Sequence, residues 1–212
     1  HKAGKLRHRH ITSFQVIILG FLSVILLGSV LLMLPIASRS GDGTPFLEAL
    51  FTATSAVCVT GLVVHDTATY WSSFGQGVIL LLIQTGGMGI VTIAVSAVAI
   101  SGRRIGLMQR GTMQEAIAAP SVGGIVRRTK FIVRTAILIE IIGAAVLALV
   151  FCKDFGLLKG MWYALFHSVS AFCNAGFDLM GIREPFSSLT SYPAQPIVNI
   201  TIMALIIIGG IG

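Results

Sequence analysis

Charge is scarce in this sequence. Of 212 residues only 11% are Asp, Glu, Lys or Arg, and 55% are hydrophobic, whereas an ordinary soluble domain carries about 25% charged residues. A globular chain of this length would form one domain, and this one has too little charge to cover such a surface. A soluble enzyme, a disordered chain and a nucleic-acid module are therefore excluded as default readings. Cysteine is almost as rare. Cys58, Cys152 and Cys173 stand far apart with no CxxC pairing, which argues against a disulfide framework or a thiolate metal site. Catalytic signatures are missing: there is no G-x-S-x-G, no H-E-x-x-H and no P-loop, and the cluster His167, Ser168, Ser170 and Cys173 has no assigned acid. The chain reads as a non-enzyme. Its basic start, residues 1–10, runs into an apolar stretch too long for an h-region and without a small-residue cleavage site, so it is not read as a secretory signal.

What is present is apolar length. A membrane helix needs about 20 mostly apolar residues. Residues 13–34, ended by Pro35, satisfy this, as do 74–100, closed by Ser101, Gly102 and two arginines, and 131–151; a fourth stretch begins at Ile197. Two shorter apolar segments, residues 46–57 and 161–172, are too short to cross and suit re-entrant or interfacial helices.

The net charge of +7 matters through its placement. Lys2, Lys5, Arg7 and Arg9 precede the first span, and Arg103, Arg104, Arg110, Arg127, Arg128, Lys130 and Arg134 follow the second, which makes eleven of the fifteen basic residues. Arg39, Lys153, Lys159 and Arg183 lie on the other side. The positive-inside rule puts the N-terminus and the loop after span two in the cytoplasm, with both short segments entering from the outer face.

Those short segments are copies of one another. At a constant offset of 115, residues 46–62 and 161–177 share seven of 17 positions: Ala49/Ala164, Leu50/Leu165, Phe51/Phe166, Ser55/Ser170, Ala56/Ala171, Cys58/Cys173 and Gly61/Gly176. The spans that follow share Gly86-Gly87-x-Gly89 and Gly209-Gly210-x-Gly212. Repeats in the same orientation imply a pseudo-rotation axis along the membrane normal. The expected fold is an all-α membrane protein of repeated helix–pore-helix–helix units, as in potassium channels, pseudo-symmetric about a central pore. The segments are an N-terminal stretch 1–12, a first repeat 13–101, a basic cytoplasmic loop 102–130 and a second repeat 131–212.

A Gly-containing extended segment at membrane depth leaves carbonyls without helical partners, which is tolerated only against protein or water. Lining a pore with such carbonyls replaces a cation's hydration shell. Glycine supplies the backbone conformations that turn successive carbonyls the same way, and the short helices aim their negative C-terminal ends at the ion. Cys58, Val59, Thr60 and Gly61, with Cys173, Asn174, Ala175 and Gly176, are the expected ion-binding filter residues. Each segment alone also suits a packing hairpin that lines nothing, and a non-conducting scaffold or assembly subunit is the alternative reading. Duplication on one side favours the pore.

The residues Leu32-Met-Leu-Pro35, Ala49-Leu-Phe-Thr-Ala53, Val59-Thr-Gly-Leu62, Asp66-Thr67, Phe74-Gly-Gln76, Gln84-Thr-Gly-Gly-Met-Gly89, Gln114-Glu-Ala116, Phe166-His167, Ser170-Ala171, Asn174-Ala-Gly-Phe177 and Gly209-Gly-Ile-Gly212 resemble the Trk/Ktr/HKT superfamily of potassium transporters, most closely the membrane subunits of bacterial Ktr systems. The resemblance covers nearly the whole chain. It implies potassium uptake across the bacterial plasma membrane through one pore formed by four repeats, with Gly61 and Gly176 as filter glycines. It further implies a homodimer of membrane subunits seated on a cytoplasmic ring of nucleotide-binding regulatory subunits. Potassium is then the substrate and sodium a candidate activator, with no cofactor bound by this chain. Only two repeats are present, so the sequence reads as the N-terminal two of four, its last helix stopping near mid-bilayer.

Other residues keep two readings each. Asp66 and Asp178 follow the filter segments, where a carboxylate either concentrates cations at the outer mouth or caps a turn. Glu140, near the middle of span three, is either part of the permeation path or a polar contact to the interior. His167 is expected to be packed and hydrogen-bonded, with no second ligand spaced for a metal. The basic loop, with Arg103, Arg104, Arg110, Arg127 and Arg128, determines topology; it also offers a docking surface for the regulatory ring or for lipid headgroups. The Gly86-Gly87-x-Gly89 cluster allows either close helix approach or a hinge.

Overall fold

Leu, Ile and Val crowd the first helix, α1 (Ser13–Met33), in the computed structural model, which describes residues 13–89, 92 and 125–211. The 21 residues of α1 carry no charge and rise about 30 Å, the thickness of a bilayer's hydrocarbon core. Pro35 ends the helix, because it has no N–H to donate and pushes the residue before it out of the helical region. Leu34 is accordingly extended, and a 3-10 turn covers Pro35–Ala37.

The chain then forms α2 (Phe46–Val57), a single turn α3 (Thr67–Tyr70) and α4 (Ser73–Gly87). Ser72 caps α4, its hydroxyl accepting the Gly75 N–H at 3.2 Å. The second half repeats the order with α5 (Ile125–Phe155), α6 (Leu157–Phe172) and α7 (Pro196–Ile211), and 3-10 turns at Met180–Ile182 and Ser188–Ser191 lie between the last two. Among the described residues the only extended pairing is one antiparallel bridge between Ser38 and Trp71. Two of the described helices, over Gln15–Met33 and Arg127–Phe155, are long and apolar enough to cross a bilayer. Phe46–Val57 and Pro196–Ile211 are apolar but shorter. The molecule is an all-α membrane protein.

The observed elements depart from the expected spans in three places. The span expected over 74–100 is interrupted: α4 stops at Gly87 and Gly89 is left-handed, at φ 79°. Of the remainder of that span, only Thr92 lies within the described residues. The short helix expected over 161–172 starts four residues earlier, at Leu157. Gly156, at φ 81°, reverses the chain straight out of α5, and Gly160 lies so close to the Phe151 and Cys152 backbone that a Cβ would overlap it. Span three is longer than its expected 131–151, because α5 begins in the basic stretch and runs to Phe155. The long stems of such residues reach along apolar surface to water.

Packing joins the two halves through α4 and through α3, which lies on the 3-10 turn at Met180–Ile182. The α5–α6 hairpin makes the most extensive contact, α1 lies on α2, and α4 touches α1, α2 and α6. Trp71, Ile79, Ile83, Phe151, Phe166, Leu179 and Met180 are fully buried. The opposite faces are bare hydrocarbon: Ile18, Leu19, Leu22 and Leu27 of α1 and Phe131, Leu138, Ile141 and Leu149 of α5 are exposed. In water such stripes would be aggregation sites; in a bilayer they face lipid.

Of the two roles open to the glycine cluster, α4 shows close approach. A Cβ on Gly86 would overlap the Val57 carbonyl, and one on Gly209 would overlap the Phe172 carbonyl. Gly86→Ala and Gly209→Ala should therefore each cost about 1–3 kcal/mol through overpacking. Gly77→Ala, also in α4, adds a methyl with nothing within 4 Å and should be neutral or stabilising by up to about 1 kcal/mol. Thermal unfolding in detergent reads the difference, and equal melting temperatures for Gly86→Ala and Gly77→Ala would refute the close-packing assignment.

Candidate functional site

Both short helices end in the same way. Beyond Val57, the Cys58 N–H donates to Thr54 O at 2.8 Å, Val59 N–H to Ala56 O at 3.3 Å and Thr60 N–H to Ser55 O at 2.9 Å. In the second half Cys173 donates to Val169 O at 2.9 Å, Asn174 to Ala171 O at 3.0 Å and Ala175 to Ser170 O at 2.7 Å. Every one of these bonds recurs at the 115-residue offset seen in the sequence. The last two of each set form a Schellman motif, whose pivotal residue is left-handed and usually glycine. Here that residue is Val59, at φ 56°, and Asn174, at φ 58°. For a β-branched residue this is a true outlier, of the kind that collects at functional sites.

Two residues further on, Gly61 and Gly176 are also left-handed, at φ 75° and 74°. Positive φ thus falls on alternate residues in each turn, with Thr60 and Ala175 between. The turns meet at their glycines: a Cβ on Gly61 would lie 2.6 Å from Ala175 O and 3.3 Å from Gly176 Cα. The structure therefore brings together all eight sequence-predicted residues, Cys58–Gly61 and Cys173–Gly176, in two adjoining turns. A cavity of about 250 Å³ adjoins the second, lined among others by Ser170, Asn174, Gly176 and Asp178.

Side chains hold the turns from behind. The Thr60 hydroxyl donates to Ser55 Oγ at 2.8 Å, and the Ser170 hydroxyl donates to Phe177 O at 2.6 Å. Asn174 Nδ2 donates to Ile206 O on α7 at 3.3 Å. His167 is buried and hydrogen-bonded, as expected. Its Nδ1 lies 2.7 Å from Tyr163 O, and its Nε2 accepts the Leu179 N–H at 3.3 Å. A carbonyl on one side and an N–H on the other require the neutral Nδ1–H tautomer.

Of the two acids after the turns, Asp66 is a cap. Its Oδ1 accepts both the Thr69 N–H and the Thr69 hydroxyl at 2.8 Å, and its Oδ2 accepts the Phe186 N–H at 3.0 Å from the other half of the chain. Asp178 Oδ1 accepts the Met180 N–H at 2.9 Å. Burial, helped by the nearby Asp66 charge and opposed by the Met180 N–H, raises the Asp178 pKa above the ordinary aspartate value. Glu140 is buried within α5, where both its carboxylate oxygens accept from Gln84 Nε2, at 2.9 and 3.0 Å. Arg127 and Arg128 are exposed on the first turn of α5. Arg103, Arg104 and Arg110 lie outside the described residues.

Sequence reasoning missed Gln84 as the partner of Glu140. It also missed a cluster beyond the second turn, where Arg183 Nη2 donates to Asp154 Oδ2 at 2.9 Å and the Tyr192 hydroxyl donates to the same oxygen at 2.6 Å. No sequence spacing signals either contact, since the partners are 56 and 29 to 38 residues apart.

Comparison with known proteins agrees with the resemblance read from the motifs. A family profile described as "TrkH: Cation transport protein" matches residues 1–212. The potassium/sodium uptake protein NtpJ of Enterococcus hirae is 43% identical over 204 residues, covering 96% of this chain and 44% of that protein. The Ktr system potassium uptake protein B of Bacillus subtilis is 44% identical over 198 residues, 93% of this chain and 43% of its own length. The Ktr system potassium uptake protein D of the same organism is 34% identical over 212 residues, all of this chain and 46% of its own length. The chain spans less than half the length of these curated relatives. With the profile matched from end to end, the chain belongs to the TrkH family of cation transport proteins.

Proposed function

We propose that the chain supplies two of four pore-lining repeats of a potassium uptake transporter, and that the turns Cys58–Gly61 and Cys173–Gly176 are its share of the selectivity filter. The single observation that carries this reading is the recurrence of one unusual turn, positive φ on alternate residues included, at two equivalent helix ends that adjoin one another. Alternation of backbone hand turns successive peptide planes so that their carbonyls share a side, which is what replacing a potassium ion's hydration shell requires. The C-terminal ends of α2 and α6 add negative potential at the same place. The relatives' names, potassium and potassium/sodium uptake proteins, supply the cation class.

In this reading the repeats, residues 13–101 and 131–212, are related by a pseudo-rotation axis along the pore. The ion moves down its electrochemical gradient, no catalytic step or bound cofactor takes part, and sodium is a candidate activator. Asp178 brings a carboxylate to the cavity beside the second turn, where it favours cations, whereas Asp66 acts as a cap. The transporter sits in the bacterial plasma membrane as a homodimer, with its N-terminus in the cytoplasm. The loop 102–130, with Arg103, Arg104, Arg110, Arg127 and Arg128, faces a cytoplasmic nucleotide-binding regulatory ring that gates it.

Bacteria lacking their own potassium uptake systems and expressing the full-length transporter with its regulatory partner provide the test. The parent should restore growth at low potassium. Gly176→Ser, strained by its left-handed backbone alone, should lower the preference for potassium over sodium about tenfold, or about 1.4 kcal/mol. Gly61→Ser adds a Cβ 2.6 Å from Ala175 O and should be the more severe of the two. Unchanged fluxes in both variants at normal membrane abundance would favour a non-conducting scaffold.

A further inference from the structure

We propose that Gln84 and Glu140 form a brace that positions the second candidate filter turn and so contributes to its discrimination between potassium and sodium. The inference rests on the proposed transport function and adds two positioning residues outside the turns themselves.

Glu140 is only 5% exposed, in the middle of α5. A carboxyl at bilayer depth is costly unless it is paired, and here both oxygens are used by one amide group, Gln84 Nε2. The same residue is tied a second time through its backbone: Glu140 O accepts the hydroxyl of fully buried Ser168 on α6 at 2.7 Å. Glu140 thus links three helices, α4 through its side chain and α6 through its carbonyl.

The pairing also determines what the rest of Gln84 does. With Nε2 turned to the carboxylate, Oε1 faces the other way, and it accepts the Cys173 thiol at 3.8 Å. Cys173 caps α6 and opens the second turn. One helical turn along α4, Gly87 lies against the same side chain, where a Cβ would meet Cys173 Sγ and Cβ. The first residue of the turn is therefore gripped by α4 from two points, and Glu140 fixes the side-chain point of that grip. Carbonyl positions in a filter decide which ion is well solvated, so a sub-ångström change at Cys173 is felt as selectivity.

The brace is not a generic feature of repeat packing. Aligning the glycine pairs Gly86-Gly87 and Gly209-Gly210 places Ile207 where Gln84 stands in the first half. An isoleucine has no polar group to offer an equivalent carboxyl or thiol. The polar contact belongs to the junction between the two halves described here.

The test uses the full-length transporter with its regulatory partner, in bacteria without their own potassium uptake, with initial rates of potassium and sodium uptake measured against concentration. Glu140→Ala and Gln84→Ala should lower potassium-over-sodium preference about three- to tenfold and raise KM for potassium, leaving the maximal rate per transporter near that of the parent. Glu140→Gln should retain the parent's selectivity, because its amide oxygen still accepts from Gln84. Single variants leave an orphaned amide or carboxyl, so the double variant Gln84→Leu with Glu140→Leu guards against misfolding: replacing both partners by apolar groups leaves only the weak Cys173 S–H donor without its acceptor. It should reach the membrane normally and show the same loss of selectivity. Parent-like selectivity and KM in that double variant would overturn the brace while leaving the transport reading intact. Loss of selectivity in Glu140→Gln would also overturn it, by showing that the carboxylate itself is needed. A parent that carries neither ion would overturn both.

Discussion

At the end of each short helix a backbone carbonyl is pressed onto a bare glycine of the helix that follows. Val57 O rests on Gly86 and Phe172 O on Gly209, at separations no other residue type permits. This contact sets where α2 and α6 stop relative to α4 and α7, and hence where the two turns begin. Without it the Schellman ends would still form locally, since their hydrogen bonds lie within six residues, but they would not be seated on α4 and α7. The turns themselves meet through contacts between the halves, such as Gly87 against Cys173 and Asp66 with the Phe186 N–H. Small residues that let backbones approach are the usual source of helix association in lipid, where hydrophobicity gives no preference for a neighbouring helix over a lipid tail.

The second constraint is polar satisfaction in an apolar setting. An unpaired donor or acceptor in hydrocarbon is expensive, and the buried polar side chains are almost all paired. Among the described residues Ser187 Oγ alone is buried without a partner. His167, Ser168, Ser170, Gln84 and Glu140 bond across elements, and the bonds of Gln84 to Cys173 and of Ser170 to Phe177 reach the second turn and the residue after it. Asp66 does the same outside the turns by joining α3 to the Phe186 backbone. The exposed apolar lengths of α1 and α5, by contrast, carry almost nothing but hydrocarbon.

Much of this was legible in the chain. Apolar length and the basic clusters identified a multi-span membrane protein, and the 115-residue offset identified two matching turns. That offset is reliable because the turn geometry depends on residues a few places apart, so a copied sequence yields a copied set of hydrogen bonds. Element ends were less legible. The early start of α6 at Leu157 follows from Gly156 and Gly160 packing on α5, and the break after Gly87 depends on the conformation of Gly89.

The sequence by itself determined the class of protein, the number of candidate filter turns and the positions of their glycines, because composition, periodicity and local hydrogen bonding are properties of neighbouring residues. Only the tertiary structure decided that Asp66 also holds the Phe186 N–H of the other half, and that Gly86 is a contact point. It also decided that Glu140 is held by Gln84. Each of these depends on groups far apart along the chain, brought within hydrogen-bonding or van der Waals reach only after the helices pack.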